Sequence, residues 1–103
     1  MRESTIENYL RKRVHALGGQ IRKVKWIGRK NAPDDRVMLP AEMRGKYLTY
    51  NPPRAFWVEC KAPDADMNTP HVRAQLREHK RMRDRGEIVH VVASFEDVDR
   101  VLG

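Results

Sequence analysis

Apolar residues recur at helical spacing near the N-terminus. Four of them share one stripe: Ile6, Leu10, Val14 and Leu17. This periodicity predicts a helix over 4–17 with one buried face. Ser4 and Glu7 have the spacing of a capping box, and the pair Gly18-Gly19 is typical of a helix end. The chain therefore opens with an amphipathic helix that needs a partner surface.

Three strands are predicted next, over 21–27, 36–39 and 55–61. In the third strand, apolar and polar residues alternate. One face carries Phe56, Val58 and Cys60, and the other carries Trp57, Glu59 and Lys61. Residues 40–54 are rich in proline and polar groups, which predicts a loop between the second and third strands.

The C-terminal part predicts two helices around a buried strand. Thr69 and Pro70 supply a cap and a first-turn proline for a helix that ends at Arg85. Residues 88–93 form a nearly continuous apolar run, typical of a buried strand, and Ser94 caps a short final helix. The order α-β-β-β-α-β-α indicates an α/β fold whose fourth strand follows a crossover helix.

Length and charge narrow the class of protein. The chain has 103 residues, a net charge of +7 and one cysteine. We expect one domain over 1–103, because this length suits one core and not two. No apolar run is long enough for a membrane span, and no signal-peptide core is recognisable, so we expect a cytoplasmic protein that does not enter a membrane.

The basic excess lies in two clusters, one after the first helix and one on the helix that follows residue 70. Seven members are candidate DNA-binding residues: Lys23, Lys25, Arg29, Lys30, Arg73, Arg77 and Lys80. Such clusters suit phosphate backbones, because neutralised phosphates release counterions. The alternative is that they only keep a small domain soluble.

Glu59 and Lys61 are the most informative charged pair, since they project side by side from an otherwise core-like strand. Asp34 and Asp35 open the preceding strand, which can return near Glu59. Carboxylates from adjacent strands can hold Mg²⁺ or Mn²⁺, with the Cys60 carbonyl as a further ligand and Lys61 beside the attacking water. The alternatives are an exposed Glu59–Lys61 ion pair and ordinary turn chemistry at Asp34.

The segments N-A-P-D-D, V-E-C-K and Q-L-R-E-H, in this order, resemble the VRR-NUC family of the PD-(D/E)XK nuclease superfamily. The resemblance covers nearly the whole chain. It implies a restriction-endonuclease-like αβββαβ core with a mixed central sheet flanked by helices. It also implies a metal-dependent DNA endonuclease, and for short standalone members a Holliday-junction resolvase that acts as a homodimer.

The resemblance assigns roles by position. Asp34 matches the family aspartate, with Asp35 as the alternative, while Glu59 and Lys61 match the (D/E)-X-K element. Glu7 matches an acidic residue on the first helix that can join the metal shell, although capping is an equal alternative. Gln75 matches a family glutamine. The alternative is that its side-chain amide has a purely structural role. The implied catalytic set is Asp34, Glu59, Lys61 and Gln75, and the implied metal set is Glu7, Asp34, Asp35, Glu59 and Cys60.

Several hypotheses stay open. The main alternatives to a junction resolvase are a flap- or end-directed repair nuclease and a non-catalytic module that binds nucleic acid. His15, His71 and His90 lack zinc spacing and cysteine partners, and His79 is interpreted as structural or phosphate-facing. In the loop over 40–54, four residues are hypothesised to contact a second subunit or the junction: Met43, Tyr47, Leu48 and Tyr50.

Overall fold

The structure is a computed structural model. It describes residues 1–40 and 55–103 with their side chains, and the backbone of 42–44 and 47–49. Its helices are α1 (Glu3–Ala16), α2 (Pro70–Arg83) and α3 (Phe95–Leu102). Its strands are β1 (Gln20–Lys23), β2 (Asp35–Met38), β3 (Glu42–Arg44), β4 (Tyr47–Thr49), β5 (Ala55–Cys60) and β6 (Val89–Val92).

A four-stranded mixed sheet organises the described residues, with the strand order β1-β2-β5-β6. The first three strands pair antiparallel, and β6 pairs parallel with β5 because α2 crosses between them. Asp35 lies opposite Val58 in the β2–β5 register, and Lys23 lies opposite Asp35 in the β1–β2 register. The predicted α/β class and mixed sheet are confirmed.

Helices α1 and α3 cover one face of the sheet and enclose the main core. That core consists of Ile6, Leu10, Val14, Ile21, Val37, Phe56, Val58, Cys60, Val92, Val98 and Leu102. The apolar stripe of α1 therefore packs as its spacing predicts. Tyr9 and Phe95 pack against each other with 4.2 Å between ring centroids and join the two helices at the border of this core.

Helix α2 lies on the opposite face of the sheet. The Thr69 hydroxyl accepts a hydrogen bond from the Val72 amide at 3.1 Å, which confirms the predicted cap. Helix α3 has the same device, with Ser94 accepting from the Asp97 amide at 3.0 Å. Three polar residues on α2 are buried against the sheet: Gln75, Glu78 and His79. The face of α2 that contacts the sheet is therefore partly polar and is not only a hydrophobic packing surface.

Two predictions about the N-terminal part of the chain are wrong. The first strand ends at Lys23, because the chain turns away into a loop over 24–34 in which Gly28 and Asn31 take the left-handed conformation. Helix α1 begins one residue before Ser4, with Arg2 at the cap position and no side-chain cap. The capping-box interpretation of Glu7 is therefore wrong, and its carboxylate makes other contacts, which are described below.

Residues 40–54 were predicted as a loop, but the backbone of this segment includes the antiparallel strands β3 and β4. The side chains of Met43, Tyr47, Leu48 and Tyr50 lie outside the described residues, so the contact hypothesis for them stays a prediction. Among the described helices, none is long and apolar enough to cross a membrane.

Candidate metal and phosphate site

Strand β5 separates two polar groups by its alternation. Val58 and Cys60 point into the core under α1, whereas Glu59 and Lys61 point toward α2. Glu59 is 6% exposed and Lys61 is 8% exposed. These values exclude the exposed edge-strand ion pair that the sequence left open. Two charged side chains buried this deeply require partners.

Gln75 supplies these partners from the second turn of α2. Its Oε1 atom accepts a hydrogen bond from Lys61 Nζ at 2.5 Å, and its Nε2 atom donates to Glu59 Oε1 at 3.3 Å. The amide thus bridges the ammonium and the carboxylate and fixes the direction of both side chains. Gln75 is therefore part of the same polar group as Glu59 and Lys61.

His79 completes this group one helical turn further along α2. It is fully buried, and its Nε2 atom lies 3.6 Å from Glu59 Oε1. Neither ring nitrogen has a hydrogen-bond partner within the part of the chain that the structure describes. A small shift of the Glu59 carboxylate would bring it into hydrogen-bonding range of the imidazole.

A second group lies where α1 meets the start of β2. Glu7, Asp34 and Asp35 each offer a carboxylate oxygen, and these oxygens lie within 4.8 Å of one another. Asp35 is fully buried, and its Oδ1 atom has no hydrogen-bond donor among the described residues. A buried carboxylate oxygen without a donor is costly unless a cation, or a proton shared with a neighbouring carboxylate, satisfies it.

Lys23 already places a cation in this group. Its Nζ atom lies 2.8 Å from Glu7 Oε2 and 3.3 Å from Asp34 Oδ2. The Glu7 carboxylate raises the pKa of Lys23, so the ammonium stays charged. Since Lys23 lies opposite Asp35 in the sheet, the strand register itself delivers this positive charge to the carboxylates.

The carboxylates of this group also share protons. Burial, and then the neighbouring Glu7 carboxylate, raises the pKa of Asp35 to about 8. The interaction with Asp35, and then that with Lys23, lowers the pKa of Glu7. Asp35 is therefore the member that holds a proton near neutral pH, and a divalent cation that bound there would displace it.

Cys60 connects the two groups through its backbone. Its thiol lies 3.9 Å from Asp35 Oδ2, and burial followed by the Asp35 charge raises the pKa of this thiol well above its usual range, so it stays protonated. The Lys61 amide donates to the Val92 carbonyl on β6 at 2.8 Å. Because the peptide is planar and trans, the Cys60 carbonyl points the other way, toward the β2 side where Asp34 and Asp35 lie.

Asp34 relates the carboxylate group to the Glu59–Lys61 group by its position in the strand register. Extending the β2–β5 register by one position places Asp34 opposite Glu59. Its carboxylate nevertheless lies with Glu7 and Asp35, and Glu59 is outside that set of three. Asp34 and Glu59 are thus neighbours in the strand register. The carboxylate oxygens that lie close together, however, are those of Glu7, Asp34 and Asp35.

These residues fit a hard divalent cation. Three carboxylates at the start of β2, and a backbone carbonyl of β5 directed toward β2, are oxygen ligands of the kind that Mg²⁺ and Mn²⁺ prefer. The buried Asp35 oxygen without a donor and the Lys23 ammonium among the carboxylates both indicate a place for positive charge. Burial alone would favour an apolar residue at position 35.

The predicted DNA-binding residues fall into three kinds. Lys25, Lys30, Arg73 and Arg77 are exposed, whereas Lys80 forms a surface pair with Asp84 at 2.9 Å. Lys23 and Arg29 have internal partners. Arg29 binds both carboxylate oxygens of Glu78, which is 5% exposed and also receives Arg81. The assignment of Lys23 and Arg29 to DNA stays a prediction, with a structural role now evident for each.

Sequence reasoning missed the aromatic pair beside this site. Trp26 and Trp57 pack against each other in a tilted arrangement with 5.0 Å between ring centroids, and the Arg36 guanidinium lies 4.9 Å from the Trp57 ring centroid. Trp57 shares its face of β5 with Glu59, which was visible in the alternation. The position of Trp26 was not, because it depends on a loop that was expected to be strand.

Two comparisons bear on this geometry. The chain is 37% identical over 102 residues to a protein of Acyrthosiphon pisum secondary endosymbiont phage 1 named "Putative nuclease p44", covering 99% of this chain and 92% of that protein. It also matches a solved structure described as "VRR_NUC domain", with a TM-score of 0.69, 38% identity, and coverage of 97% of this chain and 92% of the other. No family model matches the sequence.

The raised pKa of Asp35 predicts a pH-dependent stability without added metal. Between its ordinary value of 3.8 and about 8, the folded protein keeps a proton that the unfolded chain releases. The free energy of unfolding therefore falls as pH rises through this window. We expect the Tm of Asp35→Asn to equal that of the wild type near pH 4.5 and to exceed it at pH 8. Each kcal/mol by which the variant is more stable should raise its Tm by about 4–8 °C. Thermal denaturation of both proteins in the presence of a chelator, over this range of pH, tests the prediction. Tm values that change with pH in parallel for the two proteins would contradict it.

The position of Lys23 predicts competition with a metal ion. Lys23→Met removes the ammonium from Glu7 and Asp34, so we expect Mn²⁺ to bind about tenfold more tightly, which corresponds to ~1.4 kcal/mol. The control is Lys25→Met, which changes the net charge equally at an exposed position. Isothermal titration without DNA measures both affinities. Equal affinities for the two variants would show that the ammonium does not compete.

The unpaired nitrogens of His79 predict a stabilising substitution. A buried polar group without a partner costs about 1–3 kcal/mol, and His79→Leu removes two such atoms from a fully buried position. We expect a higher Tm for His79→Leu in metal-free protein by thermal denaturation. A Tm several degrees below that of the wild type would contradict this, because the packing of the imidazole would then contribute more to stability than its unpaired nitrogens cost.

Proposed function

Because the chain belongs to the VRR-NUC family of nucleases, we propose that it is a Mg²⁺- or Mn²⁺-dependent DNA endonuclease that cuts branched DNA as a homodimer. The observation that carries the proposal is the hydrogen-bonded group of Lys61, Gln75 and Glu59 on one face of β5, together with the carboxylates of Glu7, Asp34 and Asp35 at the start of the neighbouring strand β2. The residues 1–103 would act as one nuclease domain in the cytoplasm.

The carboxylates and one carbonyl form the proposed metal site. Asp34, Asp35 and Glu7 would hold the cation, with Glu59 and the Cys60 carbonyl as further ligands. Bound there, the cation would act as a Lewis acid on the scissile phosphate and lower the pKa of a water molecule. Deprotonation of Asp35 accompanies binding, because its raised pKa leaves it protonated near neutral pH.

Lys61 is the proposed catalytic cation. Its ammonium is held by Gln75 at 2.5 Å, and it lies on the same face of β5 as Glu59. From there it would orient the attacking water and stabilise the negative charge that develops on the phosphate oxygens. Gln75 would act as a positioning residue, since it bonds both Lys61 and Glu59.

Symmetry supports the homodimer. A four-way junction is resolved by two symmetrical cuts, and one chain carries one set of these residues. A two-fold dimer supplies the second set most simply. The exposed basic residues of the loop over 24–34 and of α2 would hold the phosphate backbones beside each site.

Cleavage of labelled DNA with Mg²⁺ or Mn²⁺ tests the proposal. The substrates are a four-way junction, a flap and a linear duplex, and the variant is Lys61→Ala with the exposed Lys12→Ala as its control. We expect paired nicks in the junction from the wild type and the control. The rate should fall by about 100-fold or more in Lys61→Ala, because a charge-stabilising group is lost.

Each other result would overturn part of the proposal. Cutting confined to flaps or ends would keep the catalytic assignment and contradict junction resolution. Salt-sensitive binding that persists in chelator, without cleavage under either metal, would identify a module that only binds DNA. Equal rates for Lys61→Ala and Lys12→Ala would remove Lys61 from catalysis.

A further inference from the structure

The loop over 24–34 presents an isoleucine to solvent in an unusual setting. Ile27 is 94% exposed, more than any other large hydrophobic residue that the structure describes. An exposed apolar side chain by itself needs no explanation. What distinguishes Ile27 is that the residues on both sides of it are fixed to the protein while its own side chain is left outside.

Trp26 fixes the loop on one side of Ile27. Its indole Nε1 donates a hydrogen bond to the Pro33 carbonyl at 2.7 Å, across the base of the loop, and its ring packs against that of Trp57. Both contacts direct the Trp26 side chain toward the sheet. The loop is thus closed on itself immediately before Ile27.

Arg29 fixes the loop on the other side. Its guanidinium binds the buried Glu78 carboxylate through Nε at 2.8 Å and through Nη2 at 2.5 Å. Two parallel hydrogen bonds to a buried carboxylate are directional and strong. Between the two fixed points, Gly28 takes a φ of 73°, which makes the sharp turn at the tip.

The surroundings of Ile27 favour nucleic acid as its partner. Lys25 and Lys30 are exposed beside it, and both ends of the loop lead directly into the carboxylate group, at Lys23 and at Asp34. A phosphate backbone held by these lysines would pass close to the proposed catalytic residues. Apolar side chains such as isoleucine are known to insert between base steps where the stack can be opened.

We propose that Ile27 packs against the uncovered base pair at a DNA branch point and so favours branched over continuous DNA. The inference rests on the proposed function and names the structural feature by which the substrate would be selected. In a continuous duplex the same contact would require opening of the stack, whereas at a branch a base-pair face is already accessible. Because the loop is held at Trp26 and Arg29, little ordering is needed on binding.

Binding to a four-way junction in chelator, without cleavage, tests this. The junction carries 2-aminopurine at the branch, and a linear duplex of the same length is the reference. The variants are Ile27→Ser and Ile27→Leu, neither of which should alter the Tm of a site that is 94% exposed. We expect Ile27→Ser to lose about tenfold to hundredfold in junction affinity with less than a twofold change on duplex, as expected from the loss of a buried aliphatic side chain.

The fluorescence and the conservative variant complete the test. The rise in 2-aminopurine fluorescence on binding should disappear in Ile27→Ser and persist in Ile27→Leu. Three results would overturn the inference: equal affinity losses on junction and duplex, no loss on either, or no junction binding by the wild type. A change from dimer to monomer in sedimentation would instead assign Ile27 to a contact between subunits.

The outcome is separable from that of the proposed function. Metal-dependent cleavage by the wild type, with loss in Lys61→Ala, tests the nuclease. If cleavage holds and the Ile27 variants bind as the wild type does, only the wedge is wrong. If no DNA is cleaved while Ile27→Ser still loses junction affinity selectively, the branch-binding loop stands and the nuclease fails.

Discussion

The register between β2 and β5 is the constraint on which the site depends. Asp35 opposite Val58 sets which residues share a face and which lie at the open end of the strand pair. A slip of one residue in β2 would move Asp35 out of the core, and a slip of one residue in β5 would turn Glu59 and Lys61 into it. Val37 and Phe56, which are fully buried opposite each other, oppose such slips because each slip would move one of them out of the core.

This register places charged groups where their burial is costly and then supplies partners for most of them. Lys61 and Glu59 have Gln75, and Glu7 has Lys23. Asp35 and His79 keep polar atoms without a hydrogen-bond partner among the described residues. Sites that bind charged ligands often retain such costs, since groups that are fully satisfied within the protein have no capacity left for a ligand.

The sequence predicted the site better on β5 than elsewhere. The alternation in A-F-W-V-E-C-K gave the faces of Glu59, Cys60 and Lys61, since the period of two depends only on the strand. Helical spacing likewise placed Gln75 and His79 on one face of α2. The loop over 24–34 was not predictable from local pattern, because its path depends on Trp26 meeting Trp57 and on Arg29 reaching Glu78, 49 residues away.

Glu7 shows how tertiary contacts override a local pattern. Its spacing from Ser4 indicated capping, yet its carboxylate lies with Lys23, Asp34 and Asp35. The central claim is that these carboxylates and the Cys60 carbonyl bind one divalent cation. Anomalous diffraction from crystals soaked with Mn²⁺ tests it most directly. The account predicts a peak about 2 Å from an oxygen of Asp34 or Asp35 and from the Cys60 carbonyl. A peak elsewhere, or none at these residues, would contradict it.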